Sequence, residues 1–260
     1  LNPAVQEGDF LVAAVSRRTV RGPLDARYGL EGTTAVGGAA SGATAGRDHR
    51  SRPRGRRQWR LARMAALRLV VGLGNPGPEH AGTRHNAGFW FVDALAADLG
   101  VPFALDRKLH AEVAKARVAG EILWLLRPTT YMNRSGLAVM GALSYYKIEP
   151  DQMLVAHDDL DLPPGTARLK FDGGHGGQNG LRDIIGQLGH GKFHRLRLGI
   201  GHPGHRDRVT PWVLGRPGKA DEAAIRGAVI EALAVMPRVL AGDLNGAMQQ
   251  LHTSPERAGE

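Results

Sequence analysis

The chain has 260 residues, a net charge of +9 and no cysteine. The lack of cysteine excludes a disulfide framework, a thiolate metal site and a cysteine nucleophile. No run of about 18 apolar residues and no basic-then-apolar leader is present, so a soluble, cytoplasmic protein without a membrane partner is expected.

The charge is unevenly placed. Residues 1–63 carry 12 arginines, no lysine and 5 acidic residues, which leaves them +7, whereas 64–260 carries 22 basic and 20 acidic residues, only +2. Bulk charge therefore gives no argument for nucleic-acid binding by the folded part. The stretches "TTAVGGAASGATAG" and "RDHRSRPRGRRQWR" keep no helical or strand period, and residues 1–63 are expected to be a disordered extension. A basic RNA-gripping arm and an arginine-rich transit peptide are the alternatives. The first methionine, Met64, three residues ahead of a strand, favours a segment that is not part of the natural protein.

From residue 67 the periodicity becomes regular. "LRLVVGLG" is a continuous apolar run, as in a strand buried on both faces. "NAGFWFVDALAADLG" reads as an amphipathic helix ending at Gly100. "HAEVAKARV" and "EILWLLRP" flank Ala119-Gly120 as a hairpin with a two-residue turn. A helix over "SGLAVMGALSYYKI", strands over "DQMLVAHDDLDLP" and "TARLKFD", a glycine loop "GGHGGQNG" and a short helix "LRDIIGQLG" follow. A strand "FHRLRLGIGHP", a long helix "KADEAAIRGAVIEALAVMPRVLAG" and a shorter one around 243–250 close the chain. Strands and helices interleave around one hairpin. The expected fold is α/β, a single domain over 64–260 with a twisted, mixed but mostly parallel sheet flanked by helices.

Gly72, Gly74 and Gly77 spell G-x-G-x-x-G after a strand, the dinucleotide fingerprint. Such a loop requires a helix to begin at the glycines and an acidic residue at the end of the next strand. Here Pro76 and Pro78 flank Gly77, the helix starts near Asn86, and the next strand pair ends in Val118 and Arg127. The glycines are instead expected to turn the backbone sharply and leave Asn75 projecting into a crevice.

Ligands of open α/β sheets bind beyond the carboxyl ends of the strands. Those positions hold Asn75, His80, Arg84, His85 and Asn86, then Tyr131, Met132 and Asn133, then His157, Asp158, Asp159 and Asp161, and finally His175, Gln178 and Asn179. Amides, imidazoles and carboxylates suit a hydrolase that activates water. A metal on "HDDLD" is the competing reading, against which His157 and Asp158 point to opposite faces of a strand.

Taken together, "VVGLGNPGPEHAGTRHNAGFWFVD", "RPTTYMNRSG", "LVAHDDLDLPPGTARLKFDGGHGGQNGLRDI" and "FHRLRLGIGHPG" closely resemble bacterial-type peptidyl-tRNA hydrolase, over roughly Leu67 to His252. The resemblance implies a monomeric esterase, without metal or cofactor, that releases tRNA from peptidyl-tRNA. It implies His85 as catalytic base, Asp158 as its orienting carboxylate and Asn75 as the residue that distinguishes blocked from free aminoacyl-tRNA. Asn133 and Asn179 would hold substrate and water, Tyr131 and Met132 would line the pocket, and Lys170 and Arg197 would clamp a tRNA phosphate. His80 and Gln178 depart from the family's usual tyrosine and histidine. Both are expected to bear on the acceptor end of tRNA without touching the His85–Asp158 pair. A tRNA-binding module that has lost hydrolysis is the rival, and it would lack one of that pair.

Overall fold

In the computed structural model, which describes residues 67–253, strand β1 (Leu69–Gly72) is buried at all four positions. Its side chains alternate between two cores, as a strand covered on both faces requires: Leu69 and Val71 enter one, Val70 the other. The expected extension over 1–63 lies outside the described residues.

β1 lies in the middle of a seven-stranded sheet of order β2-β3-β4-β1-β5-β7-β6. It pairs in parallel with β4 (Glu121–Pro128) on one side and β5 (Met153–Asp159) on the other, and β5 pairs in parallel with β7 (His194–Gly199). The margins are antiparallel. β2 (Ala104–Asp106) pairs with β3 (Ala111–Val118), β3 with β4, and β6 (Ala167–Phe171) with β7. The β3–β4 turn falls on Ala119 and Gly120, both at positive φ (48° and 82°), the two-residue geometry that matches strand twist.

Helices cover both faces. α1 (Ala87–Asp98), α5 (Lys219–Leu240) and α6 (Leu244–Thr253) pack Phe91, Leu95, Ile225, Val229 and Leu251 onto Val70, Leu154 and Leu196. α2 (Ser135–Tyr146) and α3 (Asn179–Leu188) pack Val139, Ala142 and Ile184 onto Leu69, Val71 and Val155. The chain thus leaves β1 for α1 on one face and leaves β4 for α2 on the other. The two loops diverge and open a crevice at the carboxyl end of the sheet centre. The five-residue α4 (Val209–Val213) and the three-residue β2 carry too little pattern to be expected from sequence. No described helix is long and apolar enough to cross a membrane.

Candidate active site

The crevice is built first by close backbone contact. A Cβ on Gly72 would stand 2.4 Å from the carbonyl oxygen of Gly88, and one on Gly88 would stand 2.3 Å from that of Ala156. The amino end of α1 therefore seats directly on β1 and β5, where no side chain fits. Gly77, at φ 104°, completes the turn after Asn75. The glycines serve geometry, as expected, and no helix begins at them.

Asn75 is buried and held on three sides. Asn86 Oδ1 accepts from its backbone N–H and Asn86 Nδ2 donates to its carbonyl, both at 2.9 Å. The backbone N–H of Met132 donates to Asn75 Oδ1 at 2.8 Å. Because an amide nitrogen cannot accept from that N–H, the side chain has one orientation, with Nδ2 facing the cleft and bonded to no described residue.

His85 sits in a single 3-10 turn, Arg84–Asn86, that leads into α1. Its Nδ1 lies 2.8 Å from Oδ2 of Asp158, and both residues are nearly buried, at 6% and 3% exposure. Burial alone would lower the His85 pKa. The charge and hydrogen bond of Asp158 outweigh it and hold the imidazole above the ordinary histidine value. Burial would likewise raise Asp158, but His85 and Gln178 hold its carboxyl below the usual range. With Nδ1 committed to Asp158, Nε2 is the nitrogen left for the cleft. His157, the next residue along β5, turns the other way and bonds the carbonyl of Asp158, and burial lowers its pKa.

A cleft of about 440 Å³ lies over this pair. Asn75, His85, Tyr131, Met132, Asn133, Asp158 and Asn179 all line it, so seven of the expected site residues converge. Its opposite wall is α4, with Val209, Thr210 and Val213, a contribution that sequence reasoning missed. Arg84 ties that wall to the His85 turn. Its guanidinium lies 3.7 Å from the Trp212 ring centroid, donates to the carbonyls of Trp212 and Arg216, and pairs with Asp221 at 3.2 Å. The glycine loop forms a further wall. Buried Arg195 donates to the carbonyls of Gly173, Gly174 and Gly191 and so holds the loop against β7.

Three of the residues expected to bear on tRNA stand outside the cleft lining. His80 meets Tyr131 edge-on, with ring centroids 6.4 Å apart. Lys170 and Arg197 share one face of the β6–β7 ribbon, where Lys170 is exposed. Arg197 is not a free cation, since Asp159 binds it through both oxygens at 2.7 and 3.2 Å. Asn133 is exposed and bonds no described residue, whereas Asn179 Oδ1 accepts from Arg182 at 3.0 Å. One expectation is corrected. Gln178 does touch the pair, because its Nε2 donates to Asp158 Oδ1 at 3.0 Å. The start of α3 brings residue 178 beside β5, a proximity that a spacing of 20 residues does not announce. Among the described residues, no group of three or more His, Asp or Glu side chains could hold a metal ion.

A three-layer α/β sandwich with an imidazole–carboxylate pair on the floor of a cleft lined by amides has the layout of a hydrolase site. A family model described as peptidyl-tRNA hydrolase matches residues 69–258. The chain is 67% identical over 190 residues to the peptidyl-tRNA hydrolase of Xanthomonas euvesicatoria, covering 73% of this chain and 98% of that protein. It is 63% identical to that of Stenotrophomonas maltophilia, covering 73% and 99%. The crystal structure of the Acinetobacter baumannii peptidyl-tRNA hydrolase superposes with a TM-score of 0.71 at 46% identity, over 73% of this chain and 96% of that one. The chain belongs to the peptidyl-tRNA hydrolase family.

Proposed function

We propose that the chain cleaves the ester between peptide and terminal ribose in peptidyl-tRNA, with His85 as general base. The observation that carries this reading is the 2.8 Å contact of His85 Nδ1 with Asp158 on the cleft floor, which leaves Nε2 for a water. Neutral Nε2 takes a proton from water as its oxygen attacks the ester carbonyl carbon, a step worth ~10²–10⁴-fold. Asp158 fixes the tautomer and stabilises the imidazolium. The proton then passes from Nε2 to the departing ribose oxygen, giving a peptide carboxylate, a free hydroxyl on tRNA and the neutral base again.

Asn75 supplies selectivity in this scheme. Its only open group is a donor, so it suits the carbonyl of the peptide bond next to the ester; a free aminoacyl ester offers an ammonium there instead. The amide of Asn133 and the Nδ2 of Asn179 serve water and the developing oxyanion. Lys170 holds a tRNA phosphate, with Arg197 beside it. The enzyme acts as a monomer in the cytoplasm. Incubation with N-acetyl-aminoacyl-tRNA should release free tRNA, and His85→Ala should abolish the release while the protein stays folded. Turnover by His85→Ala near the parent rate would overturn the assignment.

A further inference from the structure

Gln178 is 8% exposed and caps α3: its Oε1 accepts from the backbone N–H of Leu181 at 2.8 Å. That bond settles the amide orientation, because only the oxygen can accept. Nε2 must then face Asp158 Oδ1 at 3.0 Å, with Met132 Sδ also in reach at 3.2 Å. A flipped amide would set N–H against N–H and oxygen against carboxylate. Asp158 consequently has both oxygens engaged, Oδ2 with His85 and Oδ1 with Gln178. A carboxylate bonded at one oxygen alone can turn about its Cβ–Cγ bond and carry the imidazole with it. Bonded at both, it cannot. The backbone of α3 thus reaches the reacting nitrogen through an unbroken line of bonds, from Leu181 N–H through Gln178 and Asp158 to His85.

We propose that Gln178 is a positioning residue for the reaction: it fixes the rotation of the Asp158 carboxylate with a donor that keeps its proton at every pH. The proposal rests on the reading of His85 and Asp158 as base and orienting carboxylate. It differs from a capping role, which requires only Oε1. It also differs from a substrate contact, since Nε2 is already committed to Asp158.

Gln178→Glu separates these roles. The glutamate keeps an oxygen for the Leu181 N–H but replaces the donor at Asp158 with a second carboxyl oxygen. At saturating N-acetyl-aminoacyl-tRNA, kcat should fall at least about tenfold while KM stays within about threefold. The inflection in kcat against pH should move upward, because added negative charge favours the imidazolium. The melting temperature should fall as well, since two carboxyl groups then meet in a buried site. Gln178→Met, without donor or cap, should lower both kcat and melting temperature. If Gln178 only caps the helix, Gln178→Glu will keep the parent kcat on the high-pH plateau, and the proposal is overturned. A rise in KM alone would overturn it too. Should Gln178→Glu not fold, Gln178→Met decides, and a kcat within about twofold of the parent refutes positioning. His85→Ala in the same assay distinguishes the two claims: its survival sinks the base assignment, and its loss beside an unimpaired Gln178→Glu sinks only this one.

Discussion

Asn86 clasps Asn75 by the backbone, accepting from its N–H and donating to its carbonyl with one side-chain amide. The residue that follows His85 therefore sets the height of Asn75 in the cleft. Asn86→Asp keeps the acceptor but turns an oxygen toward the Asn75 carbonyl in a buried site. It should cost roughly 1–3 kcal/mol of stability and narrow the kcat/KM gap between N-blocked and free aminoacyl-tRNA. Thermal melting and the two kcat/KM values measure this. Unchanged values in both would show that the clasp is dispensable.

The rate should rise with pH as His85 loses its proton, with the inflection above the ordinary imidazole value, since Asp158 raises it. In Asp158→Asn the rate should drop and the inflection should move lower. Stability follows the same pair with a fixed sign. A raised His85 pKa contributes stability that is full below the unfolded-state pKa and fades as pH climbs through the folded-state one. The lowered Asp158 pKa contributes stability above its unfolded-state pKa, lost as pH falls through the folded-state value. Denaturant titrations across pH should show both losses, and Asp158→Asn should flatten them.

Arg84 joins the His85 turn to the α4 wall through stacking, two carbonyls and an ion pair. Arg84→Lys retains the charge but not the planar fork. The pair is half open on the Asp221 side, so the loss should be on the order of 1–3 kcal/mol rather than a fully buried pair's worth. KM should rise more than kcat falls, because the wall moves while the base keeps its carboxylate. Calorimetry with steady-state kinetics tests it, and a selective loss of kcat would place Arg84 in the chemistry instead.

Lys170→Ala should flatten the dependence of log affinity for tRNA on log salt by ~1 unit. Arg197→Ala should do less, since Asp159 already neutralises that guanidinium. Asp159→Asn releases it and should tighten tRNA binding at low salt. Equal slopes in all three variants would move the phosphate contact elsewhere.

The parts of this fold that sequence makes visible are those with a local signature. The apolar run at 69–72, the positive-φ pair at Ala119-Gly120 and the helical stripe after Asn86 each carry their own period or turn chemistry. Asn75 and His85 were legible as polar residues in the loop after the first strand, and Asp158 as a carboxylate at the carboxyl end of a later one. What stayed hidden depends on register between distant segments. Arg197 reads as a bare cation until β7 pairs with β5 and sets it beside Asp159. Gln178 reads as a loop amide until α3 docks and aims it at Asp158. The short α4 gives no period at all, although it forms a wall of the cleft.

The position of β1 has a consequence for synthesis. Among the described strands it is the earliest to be made, yet it lies in the sheet's middle, and its two neighbours, β4 and β5, arrive much later in the chain. Its edges stay unpaired through the emergence of α1 and the β2–β3 segment, and sheet closure depends on contacts far apart in sequence. His85 is therefore synthesised long before its carboxylate, and Gln178 follows later still. A nascent chain interrupted ahead of β5 holds His85 without Asp158 and β1 without its second neighbour. The ribosome must finish most of this domain before any part of it can work.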